Sequence, residues 1–121
     1  MKFNRFEEIE VWKLSRILVK EIYGITNNTA FSKDYGLKDQ IRRSAVSIPS
    51  NIAEGYERKS NTEFIRFLYI SKGSAGELRT QLYLAYDLDY ISQEVFDELL
   101  PRTVEISKSL SGFIKYLQST I

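Results

Sequence analysis

The feature that most constrains this chain is a seam between residues 64 and 85. Phe64, Leu68, Ser71, Ala75, Leu78, Leu82 and Ala85 recur at alternating steps of four and three. That spacing puts small and apolar side chains on one stripe of an α-helix. Ser60, with Glu63 three residues later, stands just ahead of it as a capping box. In such a box the serine hydroxyl and the glutamate carboxylate each take up an orphan backbone N–H. The pattern predicts a helix over 61–88, roughly 42 Å long at 1.5 Å per residue. A helix that long has to bury its stripe against partners.

The rest of the chain supplies three. Trp12, Ser15, Val19, Ile22 and Thr26 share a face, widened by Val11, Leu18 and Ile25, and predict a helix over 7–26. Thr26-Asn27-Asn28-Thr29 is turn chemistry, so residues 27–36 read as a loop. Leu37, Ile41, Ser44/Ala45, Ile48 and Ile52 predict a helix over 36–57. Pro49 lies inside it, lacks a backbone donor and crowds the carbonyl of Ala45, so a bend is expected there. The alternative is two short helices meeting at Ser47-Ile48-Pro49. Ser44, Ser47, Ser50 and Asn51 flank the proline and are expected to satisfy the carbonyls it frees. After Ser92 as N-cap, Phe96, Leu99, Thr103, Ile106, Leu110, Phe113 and Leu117 predict a helix over 93–118. Pro101 either bends that helix or marks its first turn. No stretch alternates with period two, which disfavours a sheet. Residues 1–121 are therefore expected to be one all-α domain, an antiparallel up-down-up-down four-helix bundle.

Composition narrows the chemistry. With no cysteine and no histidine among 121 residues, disulfides, thiolate metal sites and imidazole catalysis are excluded. A carboxylate metal site in a bundle core would draw on Glu54 and Glu77, but the usual Glu-x-x-His partners are missing. No cofactor, metal or catalytic residue is expected, and an enzyme using Glu54 or Glu77 is the least favoured reading. The N-terminal stretch has no apolar signal core, and no apolar run approaches the roughly 20 residues of a membrane span. A cytoplasmic protein without a membrane partner is the expectation.

The net charge of +1 hides an asymmetry: residues 37–79 carry +3 and residues 80–121 carry −3. Arg42, Arg43, Arg58, Lys59, Arg66 and Arg79 are candidate phosphate contacts, with Tyr56, Tyr69, Tyr83, Tyr86 and Tyr90 as candidate stacking partners. The competing reading spends the charge on self-association, with Glu54, Glu57 and Glu77 pairing with these arginines. Gly73 and Gly76 interrupt the long helix inside a run of small residues. Each costs about 1 kcal/mol against alanine there. Close packing against the first or second helix, a subunit contact and a ligand groove all account for them. Ile65, Tyr69, Ile70 and Leu84 lie off the main seam and suggest a further surface to cover.

Three segments also resemble a known family. They are Phe6-Glu7-Glu8-Ile9-Glu10-Val11-Trp12, the stretch from Gly36 to Tyr56 containing Ser47-Ile48-Pro49-Ser50-Asn51-Ile52-Ala53-Glu54-Gly55, and Glu63 to Leu78 containing Ser71-Lys72-Gly73-Ser74-Ala75-Gly76-Glu77. Together they resemble the four-helix-bundle proteins encoded in intervening sequences of bacterial 23S rRNA genes. The resemblance implies a left-handed bundle assembled into a closed, pentameric ring. It also implies kinship with the accessory protein of diversity-generating retroelements, which binds nucleic acid and a reverse transcriptase. Pro101 departs from the uninterrupted last helix of that pattern. The leading expectation is a non-enzymatic homo-oligomer that binds structured RNA or DNA through a basic surface of the second and third predicted helices. The alternative is a protein–protein adaptor of the same fold.

Overall fold

The computed structural model describes residues 3–120, save the side chain at position 29. A 3-10 turn over Phe6–Glu8 leads into α1 (Glu10–Ile25), followed by α2 (Thr29–Lys33), α3 (Tyr35–Glu57), α4 (Asn61–Asp87) and α5 (Gln93–Gln118). The described residues are all-helical, with five helices and no strand. The main contacts run from α3 to α4, α4 to α5 and α1 to α3.

The seam of α4 behaves as its spacing predicts, and all seven of its positions are buried. Phe67, Ser74 and Gln81 are buried beside it and widen the stripe toward α3. Ser60 caps α4 by accepting from the Glu63 N–H. Ser92 caps α5 through the Val95 N–H. Along the α3–α4 contact, Gly55 meets Phe64 and Phe67, Ile48 meets Ser71, and Ser47 meets Ser74. Numbering falls along one helix as it rises along the other.

Four expectations need correction. The first helix does not begin at residue 7, because Ile9 adopts extended backbone (φ −75°, ψ 121°) and breaks the 3-10 turn from α1. Burying Ile9 and packing the Phe6 ring on Trp12, 5.3 Å between centroids, sets that corner. Residues 27–36 are not a plain loop, since they hold α2. Asn28 caps α2 through the Phe31 N–H, and Asp34 caps α3 through the Leu37 N–H. Phe31 is fully buried between them, a core residue the turn-like polar neighbours concealed.

The prolines are the third correction. α3 runs unbroken through Pro49, which rules out two short helices, and Pro101 lies in the interior of α5, not in its first turn. Of the flanking polar side chains, Asn51 reaches a carbonyl other than that of Ala45, its Nδ2 donating to Ser47 O, and from α4 Ser71 Oγ donates to Ile48 O. Fourth, Gly73 and Gly76 pack against nothing: a Cβ added at either would meet no atom within 4 Å. The tightly packed glycine is Gly55, where a Cβ would stand 2.7 Å from Phe67 Cβ and 3.0 Å from Phe64 Cδ1.

Candidate nucleic-acid interface and the outer face of α4

Of the six basic residues singled out, Arg42 is tied into the end of α1. Its Nε donates to Thr26 Oγ1 at 2.8 Å, a terminal nitrogen donates to Asn27 Oδ1 at 2.9 Å, and the guanidinium lies 4.2 Å from the Tyr23 ring centroid. Together these link the chain on either side of α2. Arg43, on the next position, points outward and pairs with Asp39 at 2.9 Å, its side chain 79% exposed.

Arg58, Lys59 and Arg66 gather at the α3–α4 corner. Lys59 takes a left-handed conformation (φ 60°) there, and its ammonium sits 5.3 Å from the Tyr56 ring. The guanidinium carbons of Arg58 and Arg66 lie 4.9 and 4.5 Å from the same Phe67 ring centroid, a double cation–π arrangement. Carboxylates hold both. Arg58 meets Glu54 at 2.9 Å and Glu63 at 3.7 Å, and Arg66 forks onto Glu63 at 3.0 and 3.1 Å. The hydrogen bond from Arg66, with the charges of Arg66 and Arg58 behind it, holds the Glu63 carboxyl below the usual range. The same bond raises Arg66. Most of these pairs lie within one helix; of the carboxylates the competing reading assigns to these arginines, Glu54 pairs with Arg58, while Glu57 and Glu77 make no ion pair among the described residues.

Arg79 makes no hydrogen bond or ion pair among the described residues, and neither does Lys72 seven positions before it. At 100° per residue, Arg79 stands about 140° around α4 from Arg66. Arg42 and Arg58 are about 24 Å apart along α3. One copy therefore offers a corner cluster and separate cations on other faces, not a continuous basic strip. Most candidate stacking rings are engaged: Tyr56 donates to Phe3 O, Tyr86 stacks on Phe96 and donates to Gln93, and Tyr90 donates to Asp34. Tyr69 presents its ring to solvent.

The outer face of α4 was legible only in part. Tyr69, Ile70, Tyr83, Leu84 and Leu88 are exposed on it by 42–53%, and the bare backbone of Gly73 and Gly76 lies among them. No three carboxylates converge on a metal position among the described residues, and no helix there is long and apolar enough to cross a membrane.

Fold and surface together define an all-helical protein whose distinctive features are a neutralised basic corner and an apolar, glycine-bearing helix face. Residues 7–112 match the 23S rRNA-intervening sequence protein family, and the chain belongs to that family. A crystal structure of a protein of unknown function from the S23 ribosomal protein family of Bacteroides thetaiotaomicron VPI-5482 is similar to it. The TM-score is 0.80 and the identity 29%, over 87% of this chain and 95% of the other. No curated protein sequence is significantly similar to the chain.

Proposed function

We propose that this protein is a non-enzymatic, cytoplasmic scaffold. Its long helices form a left-handed up-down-up-down bundle, its copies close into a ring through the outer face of α4, and the ring holds structured RNA or DNA. The observation that carries the reading is that outer face. Exposed apolar side chains of this kind are usually covered by another surface, and glycines at which an added Cβ would meet nothing within 4 Å among the described residues let a second backbone approach closely. A ring uses heterologous contacts, which suits opposite charges on residues 37–79 and 80–121. The resemblance set out above supplies five as the subunit number. Light scattering should give a species near five times 14.1 kDa; a 14.1 kDa species at micromolar concentration overturns the assembly.

RNA is the first nucleic acid to try, because the family's name refers to 23S rRNA genes and the solved relative is assigned to a ribosomal protein family. A ring would repeat Arg43, Arg79 and the Arg58–Lys59–Arg66 corner in every subunit, making avidity out of modest local charge. Surface ion pairs are worth little, so phosphate can displace Glu54 and Glu63 from their arginines. Affinity should then fall steeply with salt, independently of sequence. The ion-paired state of Arg58 and Arg66 favours the second reading, a protein–protein adaptor. Absence of RNA or DNA retardation at roughly 50 mM salt, where such binding is strongest, selects the adaptor.

A further inference from the structure

The large apolar side chains exposed among the described residues fall into two groups. Five stand on the outer face of α4, and the other four are Ile17 and Tyr23 of α1 with Tyr35 and Val46 of α3. α5 contributes none among the described residues. A closed ring needs two unlike patches on every subunit, one that enters and one that receives. The outer face of α4 is one such patch, and the remaining apolar surface lies along α1 and α3.

A groove of about 360 Å³ opens there between the two helices. Trp12 and Val19 form its α1 wall, and Val46, Pro49 and Ala53 its α3 wall. Val46, Ser50 and Ala53 recur at steps of four and three, so short side chains line α3 and leave room for a protruding ring or leucine. The α1 rim is cationic. Lys13, Arg16 and Lys20 are exposed, stand within about 60° of one another around the helix, and have no ion pair among the described residues. Glu21 of the same helix is turned away to Arg102 of α5, and Glu10 borders a separate cavity against α5. Of the α3 carboxylates only Glu57, one turn past Ala53, has no ion pair among the described residues.

The face of α4 carries the opposite sign. Glu77 and Asp87 are exposed on it without an ion pair among the described residues, while Arg66 is neutralised by Glu63. Lys72 and Arg79 stand on the flank toward α5, near the angle of Tyr83 and Tyr86, whose rings meet Phe96. Gly73 and Gly76 keep the middle of the face low, which suits close approach to the short side chains of α3.

From these complementary surfaces we infer that the α1–α3 groove receives the outer face of α4 from a neighbouring copy of this chain. The assignment rests on the ring proposed above and names the receiving surface, which that reading leaves open. Tyr69 and Leu84 enter the groove, and Glu77 and Asp87 meet the cations of the α1 rim. A contact of α4 on α4 is a poorer match, because it brings like charges together and leaves the groove uncovered. A contact of α4 on α5 is poorer still, since the exposed side of α5 offers Glu94, Glu98 and Glu105 and no large apolar side chain.

The chain has no cysteine, so introduced thiols report contacts unambiguously. Val46→Cys marks the groove, Leu84→Cys the face of α4 and Lys108→Cys the outer side of α5, all at exposed positions. The full chain is treated at micromolar concentration with a short bismaleimide, which joins thiols only across a contact. The double variant with Val46→Cys and Leu84→Cys should give a ladder of linked chains up to ring size. An equal mixture of the two single variants should stop at mixed pairs, and each single variant alone should give no links. Val46→Arg, which sets a charge on the apolar wall, should raise the concentration for half-assembly about tenfold in light scattering. Links from Leu84→Cys alone identify an α4–α4 contact, and links between Leu84→Cys and Lys108→Cys identify α5 as the receiver. Either result, or undiminished assembly in Val46→Arg, overturns the groove while self-association stands. A wild-type chain that stays at 14.1 kDa, with no ladder from the double variant, overturns ring and groove together.

Discussion

Two glycine-bearing regions of this protein stand in opposite situations. Gly55, near the end of α3, is buried under Phe64 and Phe67, with no room for a methyl group. Gly73 and Gly76, in the middle of α4, are exposed, and a Cβ added at either would meet nothing within 4 Å among the described residues. In the first case the missing side chain lets two helices approach. That approach seats Phe67, the ring on which Arg58 and Arg66 both rest. In the second the missing side chains gain the isolated chain nothing and cost helix stability. A residue tolerated at a loss in the folded chain points to a use outside it, which is why the face of α4 rather than the interior is read as the assembly surface.

The contrast can be broken most directly at Gly55. Gly55→Ala places a methyl 2.7 Å from Phe67 Cβ, an atom fixed to its own helix backbone, so the helices must part. Overpacking of this kind costs about 3 kcal/mol, offset by at most about 1 kcal/mol of helix propensity. A net loss of about 2 kcal/mol is expected in urea unfolding; an unchanged midpoint would mean that the contact is soft. Gly73→Ala and Gly76→Ala go the other way. Each should stabilise the chain by about 0.5–1 kcal/mol, because the methyl meets nothing and the unfolded state loses freedom. If copies meet on this face, the double variant should also shift light scattering toward smaller species. A more stable chain with unaltered assembly would move the interface elsewhere.

A similar contrast separates Arg42 from Arg43. Arg42→Ala removes bonds to Thr26 and Asn27 and the stacking on Tyr23, and should cost about 1–2 kcal/mol. Arg43→Ala removes one exposed ion pair and should stay within about 0.5 kcal/mol. Nucleic-acid affinity should respond in the reverse order. Arg43 is free to exchange Asp39 for phosphate, whereas Arg42 would have to abandon its place at the end of α1.

The same particulars show what was legible from residues alone. The four long helices and both serine caps at 60 and 92 were readable, because period and capping chemistry are local. The role of Gly55 was not. It sits alone at the edge of a stripe, and only the partner helix reveals what occupies its missing side chain. In the run around Gly73 the two glycines looked like packing positions and are exposed, while Ser71, Ser74 and Ala75 beside them are buried. α2 was hidden because Asn28 and Asp34 read as turn residues, and both are in fact helix caps. Among the basic residues, Glu54 was anticipated as a partner, but Glu63, which meets both Arg58 and Arg66, was read only as part of the capping box of α4.

The smallest effect tests how α2 is held. Tyr90 clamps this segment in three ways: its ring packs on Phe31 at 5.0 Å, its carbonyl accepts from Asn28 Nδ2, and its hydroxyl donates to Asp34 Oδ2 at 2.9 Å. The bond to Asp34 raises the Tyr90 pKa, with burial and the Asp34 charge adding to it. The folded state therefore favours the protonated phenol. Its contribution is complete below the ordinary tyrosine value of about 10 and is lost as pH rises through the higher folded value. Tyr90→Phe keeps the ring contact and the backbone carbonyl while deleting only the titrating bond. In alkaline solution the wild-type chain should lose stability across the window that starts near pH 10, measured by urea unfolding at stepped pH, and Tyr90→Phe should lose less. An identical alkaline slope in the two proteins would assign the loss to other tyrosines and leave the ring and the carbonyl as the clamp.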